Sequence, residues 1–148
     1  MPKKNKSIIR SLVTFAAIAI GVYFANTAYQ THLGQKALDA TGLEILSLET
    51  ALAKSKETGK PVLADLSAIW CPSCRQLDNQ VLSNEIVKAK IESDYIFTRI
   101  EYETDEGKAF MEKHQLPGFP SLLTLDSDGN RIKNLPRTLS PETFLASL

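Results

Sequence analysis

The longest uncharged stretch of the chain lies close to its start and runs from Ser11 to Thr31. These 21 residues, at about 1.5 Å each in a helix, reach roughly 30 Å and can cross the hydrocarbon core of a bilayer. The residues before this stretch include four basic side chains, and basic flanks stay in the cytoplasm. The pattern predicts a cytoplasmic segment over residues 1–10, a transmembrane anchor over residues 11–31 and a body outside the cytoplasm.

A cleaved signal peptide is the alternative interpretation, because it has the same basic start and apolar middle. It also needs small residues around the cut site. Cleavage after Ala28 would put Asn26 at the third position back, and cleavage after Ala25 would put Tyr23 there. Neither position fits, so we favour an anchor in the inner membrane. A protein secreted to the periplasm after cleavage stays the alternative.

The rest of the chain alternates between strand-like and helix-like patterns. Residues 32–42 are polar and small and predict a linker, so the domain is expected to occupy residues 43–148. Strands are expected at 43–48, 61–68 and 95–102 and in a closing Asp-Gly hairpin, with helices capped by Ser47, Ser83 and Ser140. The expected order is β-α-β-α-α-β-α-β-β-α. It indicates an α/β fold with a mixed central sheet flanked by helices.

Composition and charge narrow the class of protein. The chain has 148 residues, of which 43% are hydrophobic and 23% charged, and this suits one globular domain. The net charge is zero, but the first ten residues carry +4 and the remainder carries −4. A mildly acidic body gives no support for nucleic-acid binding.

The two cysteines, Cys71 and Cys74, lie three positions apart in "WCPSC". A structural zinc site needs four ligands, and the further candidates His32 and His114 have no ligand spacing. A disulfide across so short a loop constrains the unfolded chain little. A cysteine at a helix N-terminus instead meets unpaired N–H groups and the positive dipole end, which stabilise a thiolate. The spacing after an apolar strand therefore favours a reactive pair.

Two stretches carry a resemblance to a known family. "VLADLSAIWCPSC" resembles the active-site strand and turn of the thioredoxin superfamily, and "GFPSLLTLDSDGN" resembles its cis-proline loop, strand and turn. The resemblance implies a thioredoxin-like fold over residues 43–148 and a cis peptide bond between Phe119 and Pro120. The "GKPV" lead-in and the interrupted second helix are most similar to the C-terminal domain of DsbD electron relays and to related membrane-anchored proteins.

The resemblance also implies roles for individual residues. Cys71 would attack a substrate disulfide, and Cys74 would resolve the mixed disulfide. Asp65, six residues before Cys71, matches a buried acid of the family, and it either accepts a proton from Cys74, the role we favour, or is an acid paired in the structure. Pro120 would shape the substrate surface. Arg99 falls where the family often has a lysine near that acid, and it either pairs with Asp65 or is a solvated strand residue.

Substrate contacts are expected at Trp70, Pro72 and Phe119, whereas His114 is expected at the surface. The pair itself would be the redox group, with no bound cofactor and no metal. The combined hypothesis is an extracytoplasmic thiol–disulfide oxidoreductase that reduces protein disulfides and receives electrons from a membrane relay protein. An oxidase or isomerase and a non-catalytic binding module are the alternatives.

Overall fold

The computed structural model describes residues 3–148, with side chains from Ser7 onward. Its first element is a single helix, α1 (Lys3–Thr41), whose apolar part is long enough to cross a membrane and is exposed. The linker expected over residues 32–42 is wrong, because these residues form the last turns of α1 as far as Thr41. Their small side chains pack against the domain, and Gly42, at φ 60°, ends the helix.

Ten further elements follow and form one mixed sheet between two layers of helices. They are α2 (Leu48–Thr58), β1 (Val62–Ser67), α3 (Pro72–Leu77) with a π-helical continuation (Asp78–Leu82), α4 (Glu85–Asp94), β2 (Ile96–Glu101), α5 (Asp105–Lys113), β3 (Ser121–Leu125), β4 (Arg131–Asn134) and α6 (Pro141–Ser147). The strand order is β2-β1-β3-β4, with β1 parallel to β2 and antiparallel to β3. The fold class expected from the sequence is confirmed.

The strand expected over residues 43–48 is wrong. Only Leu46 reaches the sheet, where its N–H donates to the Phe97 carbonyl at 3.3 Å and its carbonyl accepts from Thr98 Oγ1 at 2.8 Å. The segment cannot extend because Ser47 already caps α2, as expected, by accepting from the N–H of Thr50.

The expected cap of α4 is one residue out. Asn84, not Ser83, begins this helix, since its Oδ1 accepts from the N–H groups of Ile86 and Val87 at 3.0 and 3.2 Å. The Ser83 hydroxyl instead donates to the carbonyl of Asn79 and closes the π-helical segment. The expected cap of α6 by Ser140 is confirmed, with the N–H of Thr143 as donor.

The sheet is buried on both faces, and its strands send alternate side chains to each face. All six residues of β1 are buried, as expected for a central strand. Val62, Ala64 and Leu66 belong to the core beneath α2 and α5, whereas Leu63 belongs to the core beneath α3, α4 and α6. Asp65 therefore faces the same side as Leu63, which is the side that α3 covers.

The register between β1 and β2 sets the position of the first charged pair. Asp65 lies directly opposite Arg99 in the parallel ladder, so both side chains enter the layer under α3. In the antiparallel ladder on the other side, Asp65 faces Leu122. The sheet thus places one acid and one base side by side in an otherwise apolar layer.

We expect Gly107→Ala to destabilise the domain by about 2 kcal/mol or more, because a Cβ there would lie 2.1 Å from the backbone oxygen of Glu101. Alanine raises helix propensity by only about 1 kcal/mol over glycine, which is too little to offset a clash with backbone. Urea unfolding measures the difference. Lys108→Ala, one exposed position on, is the control and should change the free energy of unfolding by less than about 0.5 kcal/mol. Equal stability of the two variants would contradict the packing described here.

Candidate active site

The two cysteines lie at the start of α3, in the dithiol state. Cys71 is the N-cap, and its Sγ accepts from the N–H of Cys74 at 3.3 Å. The Ser73 hydroxyl lies 3.1 Å from the same sulfur. Pro72 occupies the first helical turn, where its missing N–H leaves no hydrogen bond unmade. The Cys71 sulfur thus accepts one backbone N–H and lies within hydrogen-bond distance of a hydroxyl.

The two thiols differ in their surroundings. Cys71 keeps 4% of its surface exposed and Cys74 keeps 1%. Burial is the main reason why the pKa of the Cys74 thiol rises to about 12, with the Cys71 sulfur and the Asp65 carboxyl adding to the rise. Cys74 is therefore a neutral thiol at neutral pH, held behind the outer sulfur.

An aromatic collar surrounds the pair. Trp70 and Phe119 meet edge to face with their ring centroids 5.7 Å apart, and Tyr102 lies 4.9 Å from Phe119. These rings pack against the cluster that contains both cysteines and Ala68. Two of the substrate-contact residues expected from the sequence, Trp70 and Phe119, therefore lie beside the pair, half-buried.

The proline loop closes the other flank of the pair. The Phe119–Pro120 peptide bond is cis, as expected. Arg137, after β4, donates from Nε to the Pro120 carbonyl at 2.8 Å and ties this loop to the C-terminal segment. Between α3 and the loop lies a cleft of about 170 Å³ that Ser73, Gln76 and Pro120 help to line. The cleft thus includes Ser73, whose hydroxyl lies against the Cys71 sulfur.

A buried cluster of three charges lies in the layer beneath α3. Asp65 is fully buried and accepts from the Ser67 hydroxyl at 2.7 Å. Arg99 Nη1 donates to Asp78 Oδ1 at 2.8 Å and lies 3.3 Å from Asp65 Oδ2 without a well-aligned hydrogen bond to it. One guanidinium thus faces two carboxyl groups. The Arg99 side chain is buried and paired, so the solvated alternative for it is wrong.

The cluster has more acid than its single base can neutralise. Burial raises the pKa of Asp65, although Arg99 and Ser67 act in the opposite direction. Burial also raises the pKa of Asp78 to about 6, and the nearby Asp65 carboxyl adds to that rise while Arg99 opposes it. The outer oxygen of each carboxyl, Oδ2, has no hydrogen-bond partner. Asp78 can therefore take up and release a proton near pH 6, and Asp65 holds a proton more readily than an ordinary aspartic acid.

Sequence reasoning missed two of these residues. Asp78 lies four residues after Cys74 and so on the same face of the helix, and this spacing was the available signal. Its polar neighbours in "RQLDNQ" do not by themselves indicate a buried position. Glu101, at the end of β2, accepts from the N–H of Ile69 at 3.1 Å and steadies the loop before the pair. The sequence did not show this contact, because it joins residues far apart in the chain.

His114 is buried, so its expected surface position is wrong. Its ring packs against Phe110 with centroids 4.4 Å apart, and its carbonyl accepts from Arg131 Nη1 at 2.8 Å. Within residues 3–148, no three His, Cys, Asp or Glu side chains gather as a metal site. His114 is thus part of the packing under α5, and it does not lie in the cluster around the cysteines.

A family model described as thioredoxin-like matches residues 44–127, more than half of the chain. The chain belongs to the thioredoxin-like family. The chain is 28% identical over 110 residues to the thiol:disulfide interchange protein DsbD of Ralstonia nicotianae, which covers 70% of this chain and 17% of that protein. The DsbD of Colwellia psychrerythraea is 28% identical over 136 residues, covering 84% of this chain and 22% of that protein. The chain thus spans about a fifth of these relatives.

Solved structures agree with the family. The oxidised C-terminal domain of Neisseria meningitidis DsbD has 26% identity and a TM-score of 0.58, covering 70% of this chain and 95% of that domain. A Thermus thermophilus thioredoxin has 23% identity and a TM-score of 0.63, covering 70% of this chain and 82% of that protein, and it supports the fold alone. The similarity to DsbD expected from the sequence is confirmed, and the family is one of disulfide oxidoreductases.

We expect Asp78 to make the stability of the reduced protein depend on pH. Its pKa is about 6 when folded and 3.8 as the ordinary value, so the folded state binds more protons between these pH values. Stability is therefore lost as pH rises from about 4 to 6, by roughly 2 kcal/mol relative to Asp78→Asn. Urea unfolding of both proteins from pH 4 to 7 measures the difference. Glu112→Gln, an exposed control, should follow the wild type, and a constant offset between wild type and Asp78→Asn would contradict the assignment.

Proposed function

We propose that this protein is a membrane-anchored thiol–disulfide oxidoreductase whose domain lies outside the cytoplasm and reduces protein disulfides. The observation that carries the proposal is the asymmetry of the pair. The Cys71 sulfur accepts the N–H of Cys74 and lies beside the Ser73 hydroxyl at the start of α3, whereas Cys74 is a buried neutral thiol. In this proposal Cys71 attacks the substrate disulfide, and Cys74 later resolves the mixed disulfide.

The reaction has two exchange steps. In the first, the Cys71 thiolate attacks one sulfur of a substrate disulfide, so an S–S bond forms to Cys71 and the other substrate sulfur leaves as a thiolate. In the second, Cys74 loses its proton and attacks Cys71, which releases the second substrate thiolate and leaves a Cys71–Cys74 disulfide. The two substrate thiolates take up protons. The substrate gains two electrons, and the pair loses them.

The second step needs a proton acceptor, because the Cys74 thiol does not ionise on its own near neutral pH. We assign this role to Asp65, which acts electrostatically on Cys74 and whose outer oxygen is free of hydrogen bonds. Arg99 and Asp78 position Asp65 and set how readily it holds a proton. The acceptor thus lies below the helix, on the side away from substrate.

The proposed direction of electron flow is supported by the surroundings of the reduced pair. A pair becomes a strong oxidant when its reduced, ionised form is stabilised. Here burial and the acid cluster oppose ionisation at Cys74, so the reduced form gains no such stabilisation from its inner thiol. This favours loss of electrons from the pair and hence a reductant.

The proposed location rests on α1 and the residues before it. The helix has an exposed apolar part over which no charge occurs from Ser11 to Thr31, and its basic side chains come first. This arrangement supports an inner-membrane protein with the domain on the periplasmic side. A membrane relay protein would then restore the dithiol after each turnover, and protein disulfides would be the substrates.

Cys71→Ser should abolish reduction of insulin disulfides, because the attacking sulfur is lost. Cys74→Ala should retain the first step and accumulate a mixed disulfide through Cys71, detectable on non-reducing gels and by mass spectrometry. Glu112→Gln, at an exposed position of α5, is the control and should keep full activity. Trapping only through Cys74 would reverse the roles, and unchanged activity of Cys71→Ser would refute the mechanism.

The reduction potential of the Cys71–Cys74 couple should lie near that of thioredoxin, about −270 mV, rather than near the DsbA value of about −120 mV. We expect this value because burial opposes ionisation of Cys74, so the reduced pair is not stabilised by an inner thiolate. Equilibration with glutathione or dithiothreitol buffers, read by alkylation of free thiols, gives the potential. A value near the oxidant end would instead support an oxidase, and two thiols inert in the folded protein would support a binding module.

A further inference from the structure

The last turns of α1 are packed onto the domain through one narrow stripe. Thr27, Gln30, Gly34, Ala37 and Thr41 follow one another at spacings of three and four residues, as one face of a helix requires. The burial of the stripe increases along it, from half-buried at its first residues to buried at Gly34, Ala37 and Thr41. The stripe meets α3 and its π-helical continuation, the elements that carry the cysteine pair.

Gly34 is the point of closest approach. A Cβ at this position would lie 1.7 Å from the backbone oxygen of Ile69, so only glycine lets the two backbones meet. Ile69 directly precedes Trp70 and the pair. One turn before Gly34, Gln30 Oε1 accepts a hydrogen bond of 2.9 Å from Nη1 of Arg75. Arg75 directly follows Cys74 in the sequence. The helix is thus attached on both sides of the reactive cysteines.

This attachment determines which residues of α1 lie beside the cysteine pair, and hence the height of the pair relative to the apolar part of the helix. An open cleft of about 270 Å³ lies between the helix and the active-site loop, and Tyr23, Asn26, Gln30, Trp70 and Glu103 help to line it. The helical residues of this cleft belong to the last two to three turns of the uncharged stretch. Trp70, next to Cys71, therefore lies level with the end of the apolar span. Asn26 and Glu103 line the same cleft, and their polar side chains favour contact with water or lipid headgroups.

The aromatic residues at this level match the composition of a membrane–water interface, where Trp and Tyr are enriched. Tyr23 and Tyr29 point outward from α1 with 65% and 59% of their surface exposed. Trp70, the only tryptophan of the chain, adds a third amphipathic ring from the domain. The domain and the helix thus present such rings at one common level.

We propose that the packing of α1 holds the Cys71–Cys74 pair at the surface of the bilayer, where it exchanges disulfides with membrane-embedded proteins whose cysteines lie in the headgroup layer. The inference rests on the membrane anchor of the proposed function and adds the place of reaction and the class of partner. The partner's disulfide is reduced to two thiols as the pair becomes a disulfide, or the reverse when the partner supplies electrons. A rigid attachment at Gly34 leaves the pair no tether with which to reach far from the membrane.

Trp70 reports the height of the pair without any substitution. The full chain is inserted into phosphatidylcholine vesicles that carry a nitroxide either on the headgroup or deep in the acyl chain. Headgroup label should quench Trp70 fluorescence about twofold more strongly than deep label, because the ring lies at the interface. Absence of quenching by either label, in a chain that resists extraction by alkaline carbonate, would overturn the inference alone. Extraction of the chain would overturn the anchor on which the proposed function also rests.

Two glycines of α1 provide matched variants. Gly34→Val should weaken headgroup quenching, because a side chain there must push the helix off Ile69. Gly21→Val is the control, since a Cβ at Gly21 meets no atom within 4 Å. Both variants should still reduce soluble insulin, which shows that Gly34→Val remains folded. Equal quenching of the two variants, at the wild-type level, would show that the contact at Gly34 does not set the height.

A pair of synthetic transmembrane peptides tests the partner class. Each carries a Cys-Gly-Gly-Cys disulfide, either directly after its apolar stretch or beyond a helical spacer of about 25 residues, which is about 38 Å. In the same vesicles, the wild-type protein should reduce the short peptide roughly tenfold faster than the long one. A tenfold ratio of rates corresponds to a difference of about 1.4 kcal/mol in activation free energy. Equal rates, or a faster reaction of the long peptide, would overturn the inference while leaving the oxidoreductase activity established.

Discussion

The chemistry of this protein depends on one guanidinium that must serve two buried carboxyl groups. Arg99 hydrogen-bonds Asp78 and lies close to Asp65, and all three side chains are removed from water. Burial of ions is costly, and it is offset only where partners are complete. Here they are not complete, because each acid keeps one oxygen without a hydrogen-bond partner. The fold therefore holds two carboxyl groups whose surroundings favour the protonated form more than water does.

In the proposed exchange, the Asp65 carboxyl of this cluster acts electrostatically on the Cys74 thiol, which must lose its proton in the second step. Burial and Asp65 keep Cys74 neutral, and Asp65 is also the proposed acceptor of its proton. The Cys71 sulfur instead accepts a backbone N–H and lies beside the Ser73 hydroxyl. The sheet and the start of α3 thus give different surroundings to two cysteines that are only three residues apart.

The attachment of α1 adds a constraint of a different kind. A helix that only tethered the domain would need no contact with it, yet Gly34 brings two backbones together beside the pair. Packing of this kind removes the freedom of a flexible linker and places the active-site rim at a defined point along the helix. The linker expected over residues 32–42 was wrong for this reason, because small and polar residues favour a loop until a neighbouring surface makes them the buried stripe of a helix.

The sequence by itself determined the fold family, the cysteine pair at a helix start, the cis-proline loop and the acid Asp65, because each depends on local spacing or on a short motif. It also determined the apolar N-terminal helix from hydropathy alone. Tertiary structure decided the rest. Register across β1 and β2 placed Arg99 beside Asp65, and the π-helical segment turned Asp78 toward the same charge. These contacts join residues that are distant in the chain, so the local pattern of polar and apolar residues does not predict them.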